Sequence, residues 1–140
     1  MRFQSTRNAA HSVGLSEAIA RGLAPDGGLY VPTSLPELRV AALAAARDLP
    51  ALAEGLIAPF AAGDVMTDRL GEITRDAFNF PAPIVDVEGG PGPLSVLELF
   101  HGPTAAFKDF GARFLAATLE RIPRADPRRL TILVATSGDT

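Results

Sequence analysis

A chain of 140 residues, 47% hydrophobic, 21% charged and with a net charge of −3, has the length and balance of one ordinary globular domain. Its mild acidity excludes the basic footprint that nucleic acid requires, and with no cysteine it has no disulfides, thiolate metal sites or thiol nucleophiles. Two histidines, His11 and His101, are too few for a histidine-rich metal cluster, so no metal is expected. No stretch approaches the ~18 apolar residues of a membrane span, and Met1 to Arg7 lacks the apolar core of a signal peptide, so the expectation is a cytoplasmic protein without membrane contact.

Along the chain, Leu15, Ile19 and Leu23 recur at helical spacing, and Ser16 as N-cap with Gly22 near the end predicts a short amphipathic helix over 16–22. Pro25-Asp26-Gly27-Gly28 is turn chemistry, and Leu29-Tyr30-Val31 before Pro32 leaves room for a brief strand at a sheet edge. An Ala-rich stretch follows over 39–47. Asp48 then stands as N-cap with Pro50 in the first turn of a helix carrying Leu52, Leu56 and Ile57, which Pro59 is expected to disturb. Thr67 is read as the cap of a third helix over 68–78, whose face is Leu70, Ile73, Ala77 and Phe78.

Proline and glycine crowd residues 81–93, and the pattern changes across them. Ile84–Val87 and Leu94–Leu99 are short apolar runs, the second suited to a strand. Phe107, Phe110, Phe114, Leu115, Leu119 and Ile122 then mark the clearest amphipathic helix, with Thr104 as its expected N-cap. Leu130–Ala135 has the continuous apolar composition of a parallel strand covered on both faces. The expected fold class is α/β: a small, mostly helical N-terminal region over 1–80, then the first βαβ unit of a parallel-sheet domain over 81–140. Thr136 to Thr140 is the turn at which a further helix would be expected, so the chain reads as the amino-terminal part of a longer protein, whose final strand could associate with another chain.

The candidate chemistry centres on Lys108, the only lysine beside twelve arginines. Only an amine loses its proton readily and condenses with an aldehyde to a Schiff base, although an Arg-rich composition also leaves single lysines by chance. Its place in the first helical turn matters, because the positive end of a helix disfavours an added cation. Asp109 supplies favourable charge to that turn and, as a sequence neighbour, need not face Lys108. His101 either orients a ligand or satisfies local backbone groups, and Phe107 and Phe110 read as core. Gly111 signals either close approach of another element or a tolerated cost of ~1 kcal/mol. Ser137, Gly138, Asp139 and Thr140 form a turn where an anionic group can dock, at the carboxyl end of the strand after the Lys108 helix, so both can face one crevice.

Four segments together carry a resemblance: Ser5-Thr6-Arg7, the run Gly22-Leu23-Ala24-Pro25-Asp26-Gly27-Gly28-Leu29-Tyr30-Val31-Pro32, the motif His101-Gly102-Pro103-Thr104-Ala105-Ala106-Phe107-Lys108-Asp109-Phe110-Gly111, and Ala135 to Thr140. In order and spacing they resemble the threonine synthase family, of tryptophan-synthase-like fold; Asn8 stands where that family often has glycine. The resemblance implies pyridoxal 5'-phosphate as cofactor, bound through Lys108 as a Schiff base, with the same amine shuttling protons at substrate carbons. It implies O-phospho-L-homoserine as small-molecule substrate, converted with water to L-threonine and phosphate, with Ser137 to Thr140 receiving the amino acid's carboxylate. The family's glycine-rich loop for the cofactor phosphate has no counterpart in these 140 residues, which implies that they do not turn over alone. Another enzyme of the same fold, a dehydratase or β-replacement enzyme, and a non-catalytic binding module derived from it are the alternatives.

Overall fold

A computed structural model describes residues 1–89, 92–123 and 131. Near the amino terminus β1 (Phe3–Ser5) is the middle strand of a three-stranded antiparallel sheet, flanked by β2 (Ser12–Val13) and β3 (Tyr30–Pro32). Phe3 faces Val13 on one side and Pro32 on the other, and Ser5 faces Tyr30. The brief strand expected at 29–31 is thus present and lies at an edge. This small sheet accompanies the helices of the region over 1–80 and was not foreseen, because β1 and β2 are three and two residues long and too short to show a period in sequence.

Between β2 and β3 runs α1 (Leu15–Arg21), closed by Gly22 at φ 71°. Its N-cap is Gly14 rather than Ser16, and the capping is tertiary: Asp64 accepts from the Ser16 backbone N–H at 3.1 Å and from its hydroxyl at 3.0 Å. The Ala-rich stretch gives only one turn, α2 (Val40–Leu43). Asp48 caps α3 (Leu49–Ala61) as its position predicts, accepting from the Ala51 N–H at 2.8 Å. This helix runs through Pro59 to its own end two residues later, so the proline frees only the Gly55 carbonyl near the carboxyl terminus.

Thr67 opens a 3-10 turn (Thr67–Arg69) that leads into α4 (Leu70–Ala77), and its hydroxyl donates back to the Ala61 carbonyl at 2.6 Å instead of capping the helix. The core lies between α3 and α4, where Ala61, Ile73 and Ala77 are closed to solvent and Met66 and Leu70 nearly so. A 3.6-residue period puts Leu70, Ile73 and Ala77 on one face, which is why α4 presents a single apolar stripe to α3.

Beyond the proline-rich stretch, β4 (Ile84–Val87) and β5 (Leu94–Leu97) form an antiparallel hairpin, with Ile84 opposite Leu97 and Val87 opposite Leu94. The partner of the second run is therefore the first one, which reading the 94–99 run as the opening strand of a βαβ unit did not foresee. The parallel pairing expected with 130–135 falls on residues that, Thr131 apart, lie outside the described ones. A loop then enters α5 (Lys108–Arg121), whose apolar face carries the expected Phe110 and Phe114 onto α4. Phe78 stacks on Phe114 at 6.0 Å between ring centroids, and Phe80 meets Phe110 edge-on at 4.9 Å. Arg113 locks the pair of helices by donating to the Ala77 carbonyl at 2.9 Å and the Asp76 carbonyl at 2.6 Å, while Arg121 pairs with Asp76. These bonds satisfy carbonyls that the end of α4 leaves open.

Candidate functional site at the start of the lysine helix

Two of the sequence motifs meet around Asp26. The Ser5 hydroxyl lies 2.8 and 3.0 Å from the two Asp26 carboxylate oxygens, to which it donates, and accepts in turn from the Arg7 N–H at 3.1 Å. Asp26 also accepts from the Gly28 N–H at 2.9 Å and lies 3.2 Å from His11 Nδ1. The Gly28 amide, then Ser5 and His11, hold the Asp26 carboxyl below the usual carboxylate range. Gly28 is required by close approach: a Cβ there would stand 2.1 Å from Ser5 Oγ. The Arg7 guanidinium donates to the Asp26 carbonyl at 3.1 Å, and Thr6 exchanges bonds with Leu29. The Ser5-Thr6-Arg7 and Asp26-Gly27-Gly28 segments are thus one interlocked turn, with Ser5 buried although polar.

Lys108 is the first residue of α5 and half-buried. Thr104 does not cap this helix. Phe107 occupies the N-cap position without a side-chain cap bond, and Thr104 instead donates both its backbone N–H and its hydroxyl to Asp109, each at 2.9 Å. Asp109 is therefore more than a favourable first-turn charge: it is buried, 5% exposed, and reaches back across the loop. The sequence reading did not single out Gly102 by itself, yet a Cβ at that position would lie 2.3 Å from Asp109 Oδ2 and 2.7 Å from its Cβ. Ala105, between the two ends of this tie, has φ 55°, a left-handed conformation that alanine seldom adopts.

His101 is satisfied by a side chain rather than by backbone, with Nε2 2.6 Å from Glu98 Oε2 and its ring 4.7 Å from that of Phe100. Phe110 belongs to the core, whereas Phe107, also expected there, is 62% exposed at the mouth of the loop. Around Gly111 a Cβ would meet nothing within 4 Å among the described residues, so close approach of a described element does not account for that glycine. Ser137, Gly138, Asp139 and Thr140 lie outside the described residues. No group of three or more potential metal ligands occurs among the described residues, and none of their helices is long and apolar enough to cross a membrane.

The family profile described as "Threonine synthase N terminus" matches residues 2–78, the part that holds the Asp26 turn. Threonine synthase of Escherichia coli strain K12 is 38% identical over 142 aligned positions, covering 100% of this chain and 32% of that protein. That of Serratia marcescens is 37% identical, with the same coverage. The chain therefore spans about a third of the length of these curated relatives. In three dimensions, a crystal structure of threonine synthase from Escherichia coli superposes with a TM-score of 0.75 at 35% identity, over 85% of this chain and 28% of that one. A crystal structure of PLP-bound threonine synthase from Brucella melitensis superposes with a TM-score of 0.73 at 34% identity, over 86% of this chain and 27% of that one. With more than half of its residues matched by that profile, the chain belongs to the threonine synthase N-terminal family.

Proposed function

We propose that this chain is the amino-terminal part of a pyridoxal-phosphate-dependent lyase, a threonine synthase, which converts O-phospho-L-homoserine and water to L-threonine and phosphate in the cytoplasm. The observation that carries the reading is the position of Lys108: the single amine side chain of the sequence opens α5, directly after the loop that leaves β5. The donor chemistry fits the cofactor, because a primary amine is what an aldehyde carbon requires and no other side chain here supplies one. When bound, pyridoxal phosphate supplies an electron sink for the loss of the γ-phosphate and the addition of water at the β-carbon.

The chain's own residues do the rest. Lys108 attaches the cofactor, and its amine holds and moves protons at the substrate carbons. Ser137, Gly138, Asp139 and Thr140 receive the substrate carboxylate, and residues 81–140 begin the cofactor-binding unit, with α5 seated on the core of 1–80. The threonine synthases among the relatives and the PLP-bound structure from Brucella melitensis support this reading. With only about a third of the relatives' length present, the 140 residues alone are expected not to turn over.

The test uses the full-length protein. Its visible absorption band should vanish in Lys108→Ala, and O-phospho-L-homoserine should yield threonine and phosphate in equal amounts. A band that survives the substitution, or turnover of serine in preference to the phosphorylated substrate, contradicts the proposal.

A further inference from the structure

The first turn of α5 has an unusual problem. Its N-cap residue, Phe107, offers no side-chain acceptor, and the loop before it contains a left-handed alanine, so apart from the turn bonds that the Asp109 and Phe110 N–H groups donate to the Ala106 and Phe107 carbonyls, nothing at the cap position ties the backbone that carries Lys108 to the loop. The remedy comes from Asp109. A carboxylate in an exposed first turn would gain the same favourable interaction with the helix dipole without losing water. Here it is buried and receives two hydrogen bonds from Thr104, five positions earlier, in space left open by the absent side chain of Gly102.

We propose that Asp109 is the positioning residue for Lys108: its carboxylate ties Thr104 to the first helical turn and fixes the direction in which the neighbouring amine leaves the helix. This rests on the reading of Lys108 as the cofactor lysine. Lys108 and Asp109 both belong to the first turn of α5, whose helical backbone angles set the Cα–Cβ directions of its residues, so clamping Asp109 against the loop holds that turn and with it the Cα–Cβ direction at Lys108. Gly102, Thr104 and Asp109 then form one device. Glycine makes room, threonine provides two donors, and aspartate closes the loop on the helix. Reaction of a held amine with an aldehyde depends steeply on approach geometry, whereas reaction with a small diffusing reagent depends on access.

The experiment compares those two reactions at Lys108 in cofactor-free, full-length protein. One is the rate at which pyridoxal 5'-phosphate is captured, read from the visible band. The other is reductive methylation by formaldehyde and cyanoborohydride, read by peptide mass mapping. Thr104→Val, which keeps size and removes the hydroxyl donor, and Asp109→Ala should each slow capture by at least about tenfold without slowing methylation. Thr104→Ser should restore capture to within about twofold of the parent rate, because the donor returns.

If capture and methylation fall together, or if neither changes in folded Thr104→Val protein, the positioning role is overturned. Should Asp109→Ala fail to fold, Thr104→Val and Thr104→Ser decide alone. The underlying reading is checked separately by Lys108→Ala. A visible band that persists in that variant sinks the cofactor assignment, whereas its loss together with normal capture in Thr104→Val sinks only the role of Asp109.

Discussion

In the segment that ends at Phe78, Ala61, Ile73 and Ala77 are shut away from solvent, and even a polar side chain such as Ser5 is buried with its bonds made. In the β4–β5 hairpin every strand residue is exposed, Ile84 by 71% and Leu97 by 53%, although six of the eight are large aliphatics. The first region has an interlocked turn and a core that α5 completes through Ala117, Phe110 and Phe114. The second has the composition of a sheet covered on both faces, and an isolated two-stranded hairpin is marginal in water. Position along the chain separates a region whose apolar residues are packed together from one whose apolar residues stand open to solvent. The Lys108 loop sits where the two meet, its helix resting on α4 and its entrance flanked by exposed Phe100 and Phe107.

The sharpest way to break this comparison is at Ile73. Truncation to alanine removes three carbons from a site with no solvent access between α3 and α4, and should cost about 2–5 kcal/mol. Urea denaturation should show the midpoint falling with little change in slope. An Ile73→Ala chain as stable as its parent would mean that the α3–α4 core is not where folding free energy resides. Next in size is Gly28→Ala, because the added Cβ falls 2.1 Å from Ser5 Oγ and 3.1 Å from the Arg7 amide nitrogen. Overpacking of this kind should cost about 1–3 kcal/mol. Ser5→Ala removes the closest atom, so Ser5→Ala combined with Gly28→Ala should cost less than the sum of the two single changes. Strict additivity would show that the interlocked turn is not a unit.

How much of this was legible in sequence follows from the range of each interaction. The cap of α3 could be read because Asp48 and its donor at Ala51 are three residues apart, and α4 and α5 because their apolar periods run for two turns or more. Ser16, Thr67 and Thr104 have the chemistry of N-caps, yet Asp64, Ala61 and Asp109 take their hydrogen bonds. Those partners are fixed by tertiary placement, which local preference does not encode. At the candidate site, a single lysine in an arginine-rich chain was conspicuous, whereas the Gly102–Thr104–Asp109 tie needs the loop folded back before Asp109 and Gly102 become neighbours. The hairpin shows the converse limit: its two runs were visible as strands or apolar segments, but which strand pairs with which was not.

A finer probe of the N-terminal turn is acid. The Gly28 amide, Ser5 and His11 lower the Asp26 carboxyl from its ordinary 3.8, so its charged form is favoured in the folded chain. The stabilisation is therefore complete above the pH at which an unfolded aspartate titrates, and is lost as pH falls through the lower folded value. Asp26→Asn lacks that charge at every pH. The difference in urea midpoint between parent and Asp26→Asn should be constant near neutrality and close as the pH drops below 3.8. A difference that stays the same throughout would assign the role of Asp26 to shape rather than charge.

The smallest effect belongs on the other side of the comparison. Ile84→Ser changes an aliphatic residue that is 71% exposed at the start of β4, opposite Leu97. If the hairpin's apolar surface contributes nothing to the core of 1–78, the substitution should leave the stability of the 140-residue chain within about 0.5 kcal/mol of the parent. The same change in a full-length protein should cost several times more, because there the side chain would have a surface to leave. Equal effects in both contexts, measured by urea midpoint at matched protein concentration, would show that the hairpin stays solvated in the whole protein, and its aliphatic residues would then need a different explanation from burial.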